Sequence, residues 1–193
     1  ELENRWYESI EKGEPDYTVY DDDYAFTEMW VCWAIYSRGY LRTLLKPSVW
    51  PIVQDVKTIV DLGCGIGYTT AGFKQLFPSS EVTGTNLEGT KQYDFCVSMG
   101  ETYDFKEASD IRKLGHVDLV FASEYFEHII NPISHLEEIL TTISPEFLYV
   151  ANSFNTHSVG HFHNYLVGGT WVSESKLSMI FNKTLQSYGY SRL

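Results

Sequence analysis

The sequence predicts an α/β protein in which a parallel sheet carries helices on both faces. From Thr58 onwards, short apolar runs of strand length alternate with longer segments that have helical periodicity. A glycine turn joins the first of these strands to the first helix, as is common in such folds. The 193 residues, 44% of them hydrophobic, suffice for one core and are too few for two comfortable domains.

The N-terminal region is predicted to be helical. Residues 1–23 are polar, acidic and rich in tyrosine, and the acidic run 21–23 suits the positive end of a helix that starts after it. We predict that helix over 24–45, because Pro47 ends it. The residues that repeat at helical spacing are Trp30, Trp33, Ala34, Ser37, Leu41 and Leu44.

Five strands are predicted after this helix, in the order expected for repeated strand–helix–strand units. The predicted strands are TIVDL (58–62), EVTGTN (81–86), YDFKE (103–107), VDLVFAS (117–123) and FLYVANS (147–153). We expect the whole chain, 1–193, to be a single domain with a helical cap over 1–50 and a core over 57–193.

Four helices are predicted between and after these strands. The first follows the glycine turn, and the second, TKQYDFCVSMG, is closed by Gly100. The third begins with Asn131 as N-cap and Pro132 at its first position. Ser173 can cap the last helix and Gly189 ends it; its inner face is predicted to hold Leu177, Ile180, Phe181, Leu185 and Tyr188.

The composition indicates which partners the protein can bind and in which cellular compartment it is expected. The formal net charge of −12 disfavours general nucleic-acid binding and anionic membrane surfaces, which select basic proteins. The chain has three cysteines, Cys32, Cys64 and Cys96. An odd number of cysteines, at spacings that match no zinc pattern, favours a reducing compartment. With no signal peptide or long apolar span in view, we expect a soluble, cytoplasmic protein.

The segment VDLGCGIGY is the most informative motif. Asp61 ends the first strand, and Gly63, Gly65 and Gly67 form a turn where a ligand can approach the backbone closely. Such a ligand sits at the carboxyl end of the strands. The alternative is a nicotinamide-binding fingerprint, G-x-G-x-x-G, but here the third glycine falls one position early, with Tyr68 in the last place.

DLGCGIG resembles motif I of class I S-adenosylmethionine-dependent methyltransferases, and the order of elements is similar from about Thr58 to Gly189. The likeness is greatest to the ubiquinone-methyltransferase-like group with a Glu-x-x-Glu-His motif. It implies a Rossmann-like, doubly wound sheet of seven strands with a reversed last hairpin, and S-adenosylmethionine as cofactor. The cofactor-binding residues that it implies are Asp61, Gly63, Cys64, Gly65, Gly67, Asn86, Leu87, Asp110, Ile111 and Ser123.

Two of these positions have alternatives. The family has an acid at the end of the second strand, where Asn86 stands here; an amide bridges ribose hydroxyls less strongly than a carboxylate, and Glu88 could substitute or could be a solvated loop residue. By the same resemblance Asp110 meets the adenine amino group and Ile111 packs on the ring. Asp110 could equally be the N-cap of a helix over 111–114.

The segment ASEYFEHI places Glu124, Glu127 and His128, the candidate catalytic residues, at the mouth of the expected cofactor site. Three hypotheses remain open: hydrogen bonds that orient the loop, His128 as a general base, or a divalent-metal site. In the metal hypothesis the ligands are Glu124, Glu127 and His128, completed by His161 or His163. RNA 3′-terminal ribose methyltransferases are similar here, since they also combine Glu-x-x-Glu-His with a later histidine.

The predicted function is methyl transfer to an unidentified small-molecule acceptor. Polynucleotide methylation, including metal-assisted ribose methylation, and a non-catalytic binding or assembly domain are the alternatives. The aromatic residues before the sheet could close over the site or cover the sheet edge. These residues are Trp6, Tyr7, Tyr17, Tyr20, Tyr24, Phe26 and Trp30.

The end of the chain gives one further expectation. Only YSRL follows Gly189, and four residues cannot form the last hairpin that the resemblance implies. The edge formed by FLYVANS, with Phe147, Leu148 and Val150, should therefore be exposed or covered by a partner chain. A homodimer through this edge is the partner prediction that follows.

Overall fold

A five-stranded parallel sheet lies at the centre of the protein. It is seen in a computed structural model that describes residues 1–192, apart from the side chain of Met29. The strands are β1 (Thr58–Leu62), β2 (Glu81–Thr85), β3 (Lys106–Ala108), β4 (Leu119–Ser123) and β5 (Phe147–Ala151). Their order is β3-β2-β1-β4-β5, and every neighbouring pair is parallel. The predicted α/β fold class is confirmed.

Helices precede and alternate with these strands. They are α1 (Leu2–Glu11), α2 (Asp23–Leu44), α3 (Trp50–Val53), α4 (Tyr68–Leu76), α5 (Lys91–Tyr103), α6 (Pro132–Thr142) and α7 (Glu174–Ser187). Short 3₁₀ turns lie at Tyr17–Asp21, Ile111–Lys113 and Phe126–His128. Across residues 1–192, no helix combines the length and the apolar character that crossing a membrane requires.

The side chains of the central strands alternate between two hydrophobic clusters, one on each face of the sheet. In β1, Ile59 packs with the cluster on one face, whereas Val60 and Leu62 pack with the cluster on the other. The same holds in β4, where Phe121 and Val120 lie in different clusters. Successive side chains of a strand point to opposite faces, so a strand buried on both faces reads as a continuous apolar run. That is why TIVDL and LVFAS could be identified as strands.

Two details of the predicted helices are wrong. Gly100 does not end its helix, which runs on to Tyr103 and ends at Asp104 in the left-handed conformation. Gly100 is instead a packing position, since a Cβ there would lie 2.7 Å from the carbonyl oxygen of Phe105. Tyr188 is 41% exposed and so does not belong to the inner face of α7, whereas Leu177 and Phe181 are buried.

An antiparallel hairpin, absent from the prediction, precedes α7. It pairs β6 (Asn164–Val167) with β7 (Thr170–Ser173) as a separate two-stranded sheet. Gly168 and Gly169 form its turn, both with positive φ, and a Gly-Gly pair between apolar runs is a recognised hairpin signal. Within residues 1–192, β5 pairs only with β4, so the central sheet has five strands where the resemblance implied seven.

The N-terminal residues pack on the loops that follow β4 and β5. Trp6 of α1 is fully buried, and its indole nitrogen donates to the carbonyl oxygen of His161 at 2.8 Å. Its ring also contacts Phe162 and Tyr17. Because this region is polar in composition, the sequence did not reveal that α1 is amphipathic and that Trp6 anchors its inner face.

Candidate functional site

The turn between β1 and α4 is shaped by three glycines. Gly63, Gly65 and Gly67 all have positive φ, a backbone conformation that side chains with a Cβ rarely adopt. Space is also limiting at two of them, because a Cβ at Gly63 would lie 2.5 Å from the Tyr125 ring and one at Gly67 would lie 2.9 Å from Phe105. The turn therefore requires glycine for its conformation and for the close approach of its neighbours.

Asp61 supports this turn from beneath. Its carboxylate is buried and accepts a hydrogen bond of 2.7 Å from the hydroxyl of Thr70 in α4. Burial raises the pKa of Asp61 to about 7, and the Thr70 bond opposes that shift. The hydrogen bond ties the end of β1 to the first turns of α4, so the side chain orders the loop from the core side.

Asn86, at the end of β2, is attached to the same turn. Its amide nitrogen donates to the carbonyl oxygen of Gly65, and its amide oxygen accepts from the backbone nitrogen of Leu87 at 3.0 Å. The donor group of an amide makes the first of these bonds, which a carboxylate could not make. Leu87 is 53% exposed and Glu88 is exposed as well.

Helix α2 covers the middle of the glycine turn. The indole nitrogen of Trp33 lies 3.6 Å from the position of a Cβ on Gly65, and the side-chain oxygen of Gln92 lies 3.7 Å from it. Leu41 of the same helix packs against Gly72 of α4. The predicted helix over 24–45 is thus present, and its inner face lies over the turn where the cofactor is expected.

The segment after β3 places Asp110 and Ile111 side by side. Asp110 caps the turn Ile111–Lys113 by accepting from the backbone nitrogen of Arg112 at 3.0 Å. It also pairs with the Arg112 guanidinium at 2.8 Å, and the hydrogen bond from this group is the largest cause of the lowered pKa of Asp110. Ile111 is 9% exposed. The cap that the sequence suggested is present, and the carboxylate remains an acceptor.

Cys64 and Cys96 meet beneath the turn as free thiols. Both are buried, and their sulfur atoms are 3.4 Å apart, well beyond the length of a disulfide bond. Ser123, the last residue of β4, is also buried and lies beside the end of β1. Cys64 and Cys96 thus pack against each other under the turn, whereas Cys32 on α2 is exposed.

Two carboxyl groups meet after β4. The Glu127 side chain is fully buried and accepts from the backbone nitrogen of Ser153 at 2.6 Å, while Glu124 accepts from the Ser153 hydroxyl at 2.8 Å. The second oxygen of Glu127 has no hydrogen-bond partner within the described part of the chain. Burial, reinforced by the neighbouring Glu124, raises the pKa of Glu127 to about 8.

Glu124 is held in an uncommon backbone conformation. Its φ is +48°, one of three positive values among the non-glycine residues described. Such a conformation costs on the order of 1 kcal/mol or more and persists where the surrounding structure fixes it. The backbone nitrogen of Glu124 donates to the carbonyl oxygen of Ala151 at 2.8 Å, which anchors the turn to the end of β5.

The two later histidines of the metal hypothesis lie in different groups. His161 joins Glu124 and Glu127, and one ligand atom from each lies within 4.8 Å of the other two, so these three could hold an ion. His163 instead joins His157 and Glu174 in a second group. Nδ1 of His128 is 2.6 Å from the Tyr20 hydroxyl, and burial lowers the pKa of His128. Of the two alternatives for the last ligand, the structure thus groups His161 and not His163 with the two glutamates, and the His128 ring lies 4.7 Å from that of His161.

Tyr125 connects the two halves of the site. Its ring lies against Gly63 of the glycine turn, and it stands between Glu124 and Phe126 in the chain. Because β1 and β4 are adjacent and parallel, the segments at their carboxyl ends meet at one edge of the sheet. Contributors that sequence reasoning missed are Trp33 and Ser153, neither of which belongs to a recognisable motif. Tyr20 is one of the aromatic residues that the sequence offered as a cover for the site.

Comparison with known proteins shows that this chain is similar to methyltransferases. The family described as "Methyltransferase domain" matches residues 34–176. A trans-aconitate 2-methyltransferase of Rhodopseudomonas palustris (strain BisA53) is 27% identical over 106 residues, covering 52% of this chain and 39% of the relative. An O-methyltransferase family protein of Burkholderia thailandensis has a similar structure, with a TM-score of 0.53 at 13% identity over 67% of this chain and 41% of that one. The chain thus spans about two fifths of the length of each.

Proposed function

This chain belongs to the methyltransferase-domain family, and we propose that it transfers a methyl group from S-adenosylmethionine to a small-molecule acceptor. One observation carries the proposal. The glycine turn after β1 and the two carboxyl groups after β4 lie at the same edge of the sheet, where the Tyr125 ring packs on Gly63. A nucleotide-like cofactor and proton-handling groups would then be neighbours.

The residues around the turn suit the cofactor. Three alternate glycines with positive φ expose backbone groups to a ligand, and the expected partners of the ribose and adenine, Asn86 and Asp110, follow β2 and β3. When bound, S-adenosylmethionine supplies a methyl group on a sulfonium centre. The set that would hold it is the one that the sequence predicts: Asp61, Gly63, Cys64, Gly65, Gly67, Asn86, Leu87, Asp110, Ile111 and Ser123.

The carboxyl pair can manage the proton that the acceptor releases. Methyl transfer would break the bond between the methyl carbon and the sulfonium sulfur and form one to an acceptor oxygen or nitrogen, and the proton of that O–H or N–H must leave. Glu124 is partly exposed and can take it, while buried Glu127, with a pKa raised to about 8, keeps its own proton. In this scheme the role of His128 is structural, because its hydrogen bond to Tyr20 fixes the position of the side chain.

Two features favour a small acceptor over a polymer. The formal net charge of −12 opposes phosphate-rich substrates, because their binding depends on cationic side chains. The N-terminal turn Tyr17–Asp21 and helix α2 lie close over the site and leave it partly enclosed. The trans-aconitate methyltransferase relative, by its name, acts on a small acid, which agrees with this class of acceptor.

Calorimetry with S-adenosylmethionine and S-adenosylhomocysteine tests the proposal directly. We expect one molecule of either to bind the full chain. In a screen of small acids, alcohols and amines that counts released S-adenosylhomocysteine, Glu124→Gln should lose turnover and keep cofactor affinity. Glu146→Gln, a change at an exposed residue just before β5 and so at the opposite edge of the sheet, is the matched control. If neither cofactor form binds, the proposed function is wrong.

A further inference from the structure

We propose that His157, His163 and Glu174 form a second site, which binds a divalent transition-metal ion of the zinc class. The three side chains come from the loop between β5 and β6 and from the first turn of α7. One ligand atom from each lies within 4.8 Å of the other two. The group shares no residue with Glu124, Glu127 and His161.

The distances from the two imidazoles to Glu174 fit a shared metal ion better than direct hydrogen bonds. Nε2 of His157 is 3.8 Å and Nδ1 of His163 is 3.6 Å from the same oxygen of Glu174. Both separations exceed the usual range of an N–H···O hydrogen bond. Two ligands bound to zinc at about 2.0–2.1 Å, at angles between tetrahedral and trigonal, lie roughly 3.3–3.6 Å apart. The two imidazole–carboxylate separations lie at or just above the upper end of that range.

The two imidazole rings are already oriented by their surroundings. Their centroids are 4.1 Å apart with an angle of 56° between the planes, so the two rings pack against each other. Tyr7 of α1 stacks against the other face of the group, with its ring 4.6 Å from that of His163 and tilted by 32°. Glu174 is largely covered, with 22% of its side chain exposed.

The choice of ligands indicates the class of metal. Two imidazoles and one carboxylate are the ligands of many zinc sites that have three protein donors and leave the fourth position to water. Imidazole nitrogen disfavours calcium and magnesium, which prefer oxygen. The Glu124, Glu127 and His161 group has two carboxylates to one imidazole, and therefore suits a harder ion.

An ion at this place would join three parts of the molecule. It would bind the loop that carries Gly160 and His161 to the start of α7, with Tyr7 of α1 packed beside it. Gly160 lies against Tyr20 and His128, since a Cβ there would be 2.7 Å from Nδ1 of His128. We therefore infer that the metal fixes the loop that forms one wall of the candidate site.

Cobalt(II) is the appropriate probe, because a tetrahedral site gives it intense visible absorption. The full chain, freed of any polyhistidine tag and treated with chelator, is titrated with Co²⁺ and then with Zn²⁺ as competitor. We expect one equivalent of Co²⁺ to bind and Zn²⁺ to displace it. Glu174→Gln and His157→Ala should each weaken binding by on the order of 100-fold or more. His116→Ala, at another exposed histidine beside an acid, should bind like the wild type.

Three results would overturn the proposal. The first is a wild-type protein that binds no Co²⁺ near one equivalent. The second is unchanged binding in both Glu174→Gln and His157→Ala. The third is binding that is lost in Glu124→Gln and kept in Glu174→Gln, which would place the ion in the other group. Zinc should also raise the melting temperature of the wild type and not that of Glu174→Gln. None of these readouts depends on methyl transfer.

Discussion

The hydroxyl of Tyr20 lies 2.6 Å from Nδ1 of His128, a contact between residues 108 positions apart in the chain. It connects the N-terminal 3₁₀ turn with the Glu-x-x-Glu-His segment after β4. Tyr17 adds a second bond between the same regions, from its hydroxyl to the His128 carbonyl oxygen at 2.9 Å. The aromatic N-terminus is therefore part of the framework of the candidate site.

Tyr20→Phe should destabilise the protein because it leaves Nδ1 of His128 without its partner. Loss of one member of a buried hydrogen bond costs about 1–3 kcal/mol. Urea unfolding followed by circular dichroism would measure this change. Tyr24→Phe, at a side chain that is 69% exposed, is the matched control and should change stability by less than about 0.5 kcal/mol. Equal stabilities of the two variants would show that the bond contributes nothing.

Gly65→Ala should abolish or greatly weaken binding of S-adenosylmethionine, and Gly89→Ala should not. Both glycines have positive φ, so both substitutions carry a similar backbone cost of about 1–2 kcal/mol. A Cβ on Gly65 would enter the covered space beside Trp33, whereas no described atom lies within 4 Å of one on Gly89. Calorimetry on the two folded variants separates the effects. Unchanged affinity in Gly65→Ala would remove this turn from the cofactor site.

Asn86→Asp should weaken cofactor binding, although the family pattern alone suggests the reverse. In the structure the amide nitrogen of Asn86 donates to the Gly65 carbonyl oxygen, and a carboxylate would oppose that oxygen with negative charge. Loss of the bond should cost about 1–3 kcal/mol in loop stability. Asn86→Ala serves as comparison, because it removes the donor without adding charge. Tighter binding in Asn86→Asp would mean that the carboxylate gains more from the ribose hydroxyls.

Asp61→Asn should make stability less dependent on pH. Burial raises the pKa of Asp61 to about 7 from 3.8, so between these values the folded state keeps a proton that the unfolded state has released. Stability contributed by this group is therefore greatest at low pH and falls as the pH rises to about 7. Asparagine removes this proton and can still accept the Thr70 bond. Urea midpoints of the wild type and the variant are compared from about pH 4 to 7; a difference between them that stays constant over this window would contradict the raised pKa.

The predictable parts of the molecule were those specified by local patterns. Continuous apolar runs identified β1, β4 and β5, whereas β3 begins at Lys106, three residues after the predicted start, because Tyr103 still belongs to α5. Glycine at Gly63, Gly65 and Gly67 identified the turn, because few other residues adopt its conformation. The helix over 24–45 followed from helical spacing and from Pro47. The hairpin around Gly168 and Gly169 was equally local and was overlooked, since the adjoining strands are only four residues each.

The predicted helix end at Gly100 shows the opposite case. Glycine near the end of a helical segment usually marks its C-terminus, but this glycine is required by the close approach of Phe105. Asp104 takes the left-handed position instead. A tertiary contact thus decided which residue ends the helix.

The sequence by itself determined the strand order along the chain, the glycine turn and the family, since periodicity, glycine conformation and motif spacing are properties of neighbouring residues. Only the tertiary structure decided that His161 joins Glu124 and Glu127 while His163 joins Glu174. It also decided that Trp6, in a polar segment, is fully buried. These pairings link residues tens of positions apart, and their partners depend on how the loops after β4 and β5 pack against α1 and α7, which no local pattern specifies.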